Sequence, residues 1–177
     1  MPNMNSLMKT SRKLKLVIVA LWVLTLGAAV LRWTVAGTAA LLPPTLAAQV
    51  GTGPIAPTIR LACFIVELVP LTAAYYGLAA LYRICGAYGQ GDIFKRETGI
   101  LYRRFGKGLL LLGGANALYT SLLSALLSSA AAGGKLAISV GLSTADLYLL
   151  IVGCAVQMLG IVMDEAYRLH DENTQII

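Results

Sequence analysis

Charge is what this sequence has least of. Only 12% of its 177 residues are Asp, Glu, Lys or Arg, where a soluble domain carries roughly 25%. That shortage excludes an ordinary water-facing surface. Histidine is nearly missing: His170 stands alone, reads as a solvated tail residue, and leaves a metal or proton-relay site little to build on. Cys63, Cys85 and Cys154 show no C-x-x-C spacing, which argues against a zinc site, a redox motif or a structural disulfide. The sequence also lacks G-x-S-x-G, a Walker loop, H-E-x-x-H and any carboxylate pair in a catalytic setting. An enzyme is therefore not expected, and no cofactor is implied.

What the sequence has in abundance is apolar. Hydrophobic residues make up 58% of the chain, and the mean hydropathy is +0.76. These values predict an integral membrane protein. Four apolar runs, about 14–36, 59–82, 107–131 and 143–163, each approach the roughly 20 residues that carry a helix across the hydrocarbon. Backbone groups in lipid must be satisfied within the segment, so the runs predict α-helices. No β-barrel alternation is present. The expected fold is all-α: one polytopic membrane domain, 1–177, built as a four-transmembrane-helix bundle. An amphipathic hairpin, 83–106, joins the second and third helices, and a polar tail, 164–177, ends the chain. Pro43, Pro44, Gly51, Gly53, Pro54 and Pro57 mark the first connection as irregular, and Gly133-Gly134 break the chain in the third.

The few charges are unevenly placed. Lys9, Arg12, Lys13 and Lys15 precede the first run, and Arg83, Lys95, Arg96, Arg103, Arg104 and Lys107 lie between the second and third. Only Arg32, Arg60 and Lys135 fall near the other connections, ten cations against three, and Arg168 joins the larger group. Lys and Arg concentrate in cytoplasmic loops, so both termini are expected inside. The net charge of +6 then reports topology and attraction to anionic headgroups, and direct nucleic-acid binding is not expected. Lys9–Lys15 followed by Leu16–Leu31 has the layout of a secretory signal. The apolar run continues through Ala36, longer than such a signal needs, and retention is the expectation.

Glu67 is the sharpest oddity. A carboxylate so far inside a membrane helix costs on the order of 2.5–3.5 kcal/mol unless paired or solvated. Arg32, near the same end of the first helix, stands at matching depth. An Arg32–Glu67 ion pair that fixes how the first two helices meet is therefore expected. The alternative is a proton or cation site at Glu67, with Thr72, Tyr75, Asn116, Tyr119 and Gln157 as polar neighbours to draw on. Pro70 frees a carbonyl near Val66 and could open a polar pocket there. In the third helix Gly113, Ala117, Ser121, Ala125 and Ser129 recur every four residues. Such a small-residue stripe lets backbones approach, either inside the subunit or across a homodimer seam.

From about Phe94 the hairpin turns amphipathic. Phe94, Leu101 and Phe105 fall near one face, with Arg96, Arg103, Arg104 and Lys107 as a basic rim. This surface suits lipid phosphates of the inner leaflet or a docked protein. Asp164, Glu165, Asp171 and Glu172 make the tail acidic, so a tail helix over 164–170 is expected to pack on the 94–107 helix.

Gly91-x-Ile93-Phe94, followed by Leu101-Tyr102-Arg103-Arg104-Phe105-Gly106 running into an apolar helix, resembles the bacterial membrane family called domain of unknown function 2975. Tyr82-Arg83 and Glu172-Asn173 are similar to the same pattern. The likeness covers about residues 14–177, and its specific part is the hairpin. Lys95 departs from it, standing where the family commonly has a capping Ser or Thr. The resemblance implies four helices in the bacterial cytoplasmic (inner) membrane, with the first helix retained and no settled biochemical function. Members are often encoded beside a small Cro-type helix-turn-helix regulator. The resemblance thus implies a non-enzymatic sensor or anchor for a cytoplasmic protein regulator, docked through Phe94, Arg103, Arg104 and Phe105. The alternative is a small transporter or ligand-binding bundle organised around Glu67.

Overall fold

In the computed structural model of the chain, residues 4–34, 56–90, 96–130 and 141–174 are described. They form four α-helices: α1 (Met4–Thr34), α2 (Pro57–Gly89), α3 (Arg96–Ala130) and α4 (Thr144–Thr174). All four are long and apolar enough to cross a membrane. Each continues past its apolar run; α2, with 33 residues, rises about 50 Å against roughly 30 Å of hydrocarbon. The expected hairpin 83–106 thus resolves into the end of α2 and the start of α3. Asp92 and Phe94, in the link, lie outside the described residues, as do Gly133, Gly134 and the first connection.

Local chemistry sets the helix ends. Pro57 opens α2 at a position where its missing N–H costs nothing, and the Ala56 carbonyl accepts from the amides of Ile59 and Arg60. At the start of α4 Ser143 and Asp146 cap reciprocally. The Ser143 hydroxyl accepts from the Asp146 amide at 3.2 Å, and the Asp146 carboxylate accepts from the Ser143 amide at 2.9 Å. This is a capping box with Asp in the third position. Inside α2 the helix runs through Pro70.

Packing is serial among the described residues: α1 lies against α2, α2 against α3 and α3 against α4. Each pair is antiparallel, so the start of α1 and the end of α4 share one end of the molecule. The closest approaches are made by glycine. On α3 Gly99, Gly106 and Gly113 meet Gly160, Gly153 and the Asp146 carbonyl of α4, at intervals of seven residues on both helices. A Cβ built at Gly106 would stand 2.8 Å from the Gly153 carbonyl oxygen, and one at Gly108 would stand 2.4 Å from the Gly77 Cα of α2. Small residues allow this backbone-to-backbone contact where lipid supplies no hydrophobic drive. The expected four-residue stripe is only partly used. Gly113 takes the Leu150 side chain of α4 inside the same chain, whereas Ala117, Ser121 and Ala125 are half-buried and the Ser129 side chain lies outside the described residues.

A buried cluster of Trp33, Cys63, Leu123 and Leu127, with Ile59, Phe64, Tyr119 and Leu126 packed on it, joins α1, α2 and α3 at the far end. Cys63 and Cys85 are buried and Cys154 is exposed; all three are free thiols.

Candidate functional site

The buried cluster holds a polar constellation that joins its helices. Arg32 Nη1 and Glu67 Oε1 are 3.2 Å apart, with Arg32 39% exposed and the Glu67 side chain 11% exposed. Antiparallel packing of α1 on α2 places the two side chains at one depth, as their positions in the sequence suggest. The other carboxylate oxygen, Oε2, accepts the indole N–H of Trp33, a residue 7% exposed. Tyr119 of α3 packs against the same cluster. Both oxygens of Glu67 are engaged, and the node ties three helices together. A charge taken out of water needs this kind of full satisfaction to persist.

The remaining polar neighbours do not converge on Glu67. The Thr72 hydroxyl donates to the Val69 carbonyl of its own helix at 2.8 Å, and the Tyr75 hydroxyl donates to the Trp22 carbonyl of α1 at 3.0 Å. Asn116 Nδ2 donates to Asp146 Oδ1 at 2.9 Å, which joins α3 to the cap of α4. Gln157 packs against Gly106. The polar residues are spent pairwise along the helix contacts.

Trp33 and Asp146 are the residues that charge reading alone passes over. Trp33 carries a signal only as the indole beside Arg32. Asp146 is visible as Ser-x-x-Asp before an apolar run, the signature of a helix start.

At the opposite end the basic residues divide. Arg103 Nη2 binds Asp164 Oδ2 at 3.0 Å, and Gly99 lies against the Asp164 backbone, so α4 docks on the first two turns of α3. Glu172 turns the other way and pairs with Arg168 at 3.4 Å; Glu165 pairs with the same guanidinium at 3.3 Å. Phe105, expected as a docking residue, is half-buried instead, with its ring near Gly77 in the α2–α3 contact. Arg104 and Lys107 are exposed. Phe94 and the Arg96 side chain lie outside the described residues.

Between α1, α2 and α3 at this end is a groove of about 610 Å³ lined by Lys15, Arg83 and Arg104 together with Tyr82, Gln90 and Glu97. Lys15 Nζ stands 5.1 Å from the centre of the Tyr82 ring. Among the described residues no group of three or more His, Cys, Asp or Glu is placed to hold a metal.

No curated protein and no solved structure matches the chain. A family described as protein of unknown function (DUF2975) matches residues 45–177, which takes in α2, α3 and α4 and leaves α1 outside. Three of the four helices and most of the chain fall within that match, and the protein belongs to the DUF2975 family.

Proposed function

We propose that this chain is a non-enzymatic membrane anchor or sensor in a bacterial cytoplasmic membrane, with both termini inside. Its terminal end docks a cytoplasmic protein such as a small helix-turn-helix regulator. The observation that carries this reading is the end of α4. Gly160 and Asp164 lie opposite Gly99, only three residues from the start of α3, so α4 runs on past the start of α3 as an arm to Thr174. Glu165, Arg168, Leu169 and Glu172 are all exposed on it.

With Asp164 paired to Arg103, the arm beyond it carries Glu165, Asp171 and Glu172 against Arg168. A DNA-binding regulator presents basic side chains to phosphate, and an acidic helix with an exposed Leu169 is a complementary surface for it. Binding there would withhold those side chains from DNA. The alternative, transport through Glu67, needs a carboxylate free to exchange its partners, and both Glu67 oxygens are committed.

The test is a gentle-detergent pull-down of the tagged protein from its native cells, beside Glu165→Lys/Glu172→Lys. Each exposed intrahelical pair with Arg168 is exchanged for a like-charge contact, a cost of only about 0.4–1 kcal/mol apiece, so the variant should fold. A cytoplasmic regulator captured by the native chain and lost from the variant is the expected result. Equal capture by both, or no specific partner, refutes the docking reading.

A further inference from the structure

The groove between α1, α2 and α3 has a charge pattern that the partner reading does not use. Lys15, Arg83 and Arg104 come from three different helices and line one cavity. None of the three forms an ion pair among the described residues, whereas Arg103 and Arg168 both do. Among the described residues Glu97 is the single carboxylate on the lining, against these three cations. Glu97 and Thr98, in the first turn of α3, bring a helix N-terminus to the same place, where backbone dipoles favour an anion. Lys15 Nζ rests over the Tyr82 ring, a contact that leaves its N–H donors free to bind a phosphate oxygen.

The groove does not end at its cations. A second cavity of about 180 Å³ shares Arg83, Leu101 and Arg104 with it and continues along Tyr76, Ala79 and Ala80 of α2. A charged mouth thus opens into an apolar channel on the membrane side. The depth is right for a headgroup. Arg60 and Arg83 of α2 are separated by about 34 Å of helix rise, close to the roughly 30 Å of the hydrocarbon, so Arg83 lies at the boundary.

We propose that this groove is a binding site for the phosphate headgroup of an anionic phospholipid, with an acyl chain along Tyr76, Ala79 and Ala80. Guanidinium and ammonium groups converging from separate helices are the chemistry that holds such headgroups between membrane helices. The apolar continuation selects a lipid over free phosphate. The site is distinct from the α4 arm, and a lipid seated here bridges α1 to α2 and α3.

The experiment is native mass spectrometry of the full chain in mild detergent with added phosphatidylglycerol or phosphatidylcholine. Phosphatidylglycerol adducts should exceed those of phosphatidylcholine, and retention should fall about fivefold for each of Lys15→Gln, Arg83→Gln and Arg104→Gln. Lys9→Gln/Lys13→Gln, which removes exposed cations outside the groove, should retain the lipid, as should Lys15→Arg/Arg83→Lys/Arg104→Lys. If a neutral variant unfolds, this charge-preserving triple still decides the matter. Equal retention of both lipids, equal loss in the Lys9/Lys13 control, loss in the charge-preserving triple, or displacement by millimolar inorganic phosphate would each overturn the proposal.

Discussion

Substitutions at Glu67 separate charge from hydrogen bonding, because two kinds of donor meet one carboxylate. Glu67→Gln removes the charge facing Arg32 but keeps a carbonyl oxygen for the Trp33 indole. Arg32 is then left without its counterion inside a membrane-spanning helix, so losing that pair should cost up to about 2.5–3.5 kcal/mol, less where the guanidinium reaches the interface. Glu67→Leu also strands the indole N–H of Trp33, which is 7% exposed; an orphaned buried donor costs a further 1–3 kcal/mol or so. Leu gains little in return, since the heavy cost of an intramembrane carboxylate applies to an unpaired one. The exchange Arg32→Glu/Glu67→Arg restores opposite charges, yet arginine has no acceptor for Trp33, so rescue should be incomplete by the same 1–3 kcal/mol or so. Equilibrium unfolding in mixed micelles, read by loss of the monodisperse species, measures all three. A Leu variant as stable as the Gln variant, or an exchange that restores full stability, would refute the assignment of Trp33 as a partner.

Glycine spacing offers a second test. Gly106→Ala drives a methyl into the Gly153 carbonyl at 2.8 Å, whereas Gly114→Ala meets nothing within 4 Å. Unfolding measurements should show a loss of about 1–3 kcal/mol at Gly106 and a gain of up to about 1 kcal/mol at Gly114. Asp146→Ala should cost about 0.5–2 kcal/mol through its cap, and more through Asn116, with Asp146→Glu partly restoring stability in the same assay. For the tail, Arg103→Cys/Asp164→Cys in a Cys154→Ser background should cross-link with a short reagent in intact membranes. Arg103→Cys/Glu172→Cys should not, because eight residues of helix carry Glu172 about 12 Å beyond Asp164.

The four helices are legible in the sequence because lipid tolerates only long apolar helices or closed barrels. The meeting of Arg32 and Glu67 is legible too, since two opposite charges at one depth have few other partners. Trp33 is not, because the demand of an indole N–H has no signature in charge or hydropathy. The seven-residue glycine spacing escapes a reading that starts the third helix at Lys107, for Gly99 and Gly106 precede that point. Phe105 looks like an exposed anchor on a helical wheel, but the close contact of Gly77 and Gly108 brings α2 over its ring. The division of the basic residues between Asp164 and the groove depends on helix rotation, which composition leaves open.

The node at Glu67 also bears on the order in which the chain enters the bilayer. Arg32, Trp33 and Glu67 all belong to the first two helices, so the counterion and the indole that satisfy the buried carboxylate precede it in the chain. At typical synthesis rates of 5–20 residues per second, Tyr119 follows Glu67 by about 3–10 s. A hairpin of α1 and α2 thus contains the partners of both Glu67 oxygens and needs no later helix to satisfy its costliest group in lipid. Tyr119 can pack on that joint only after both of these helices have been made.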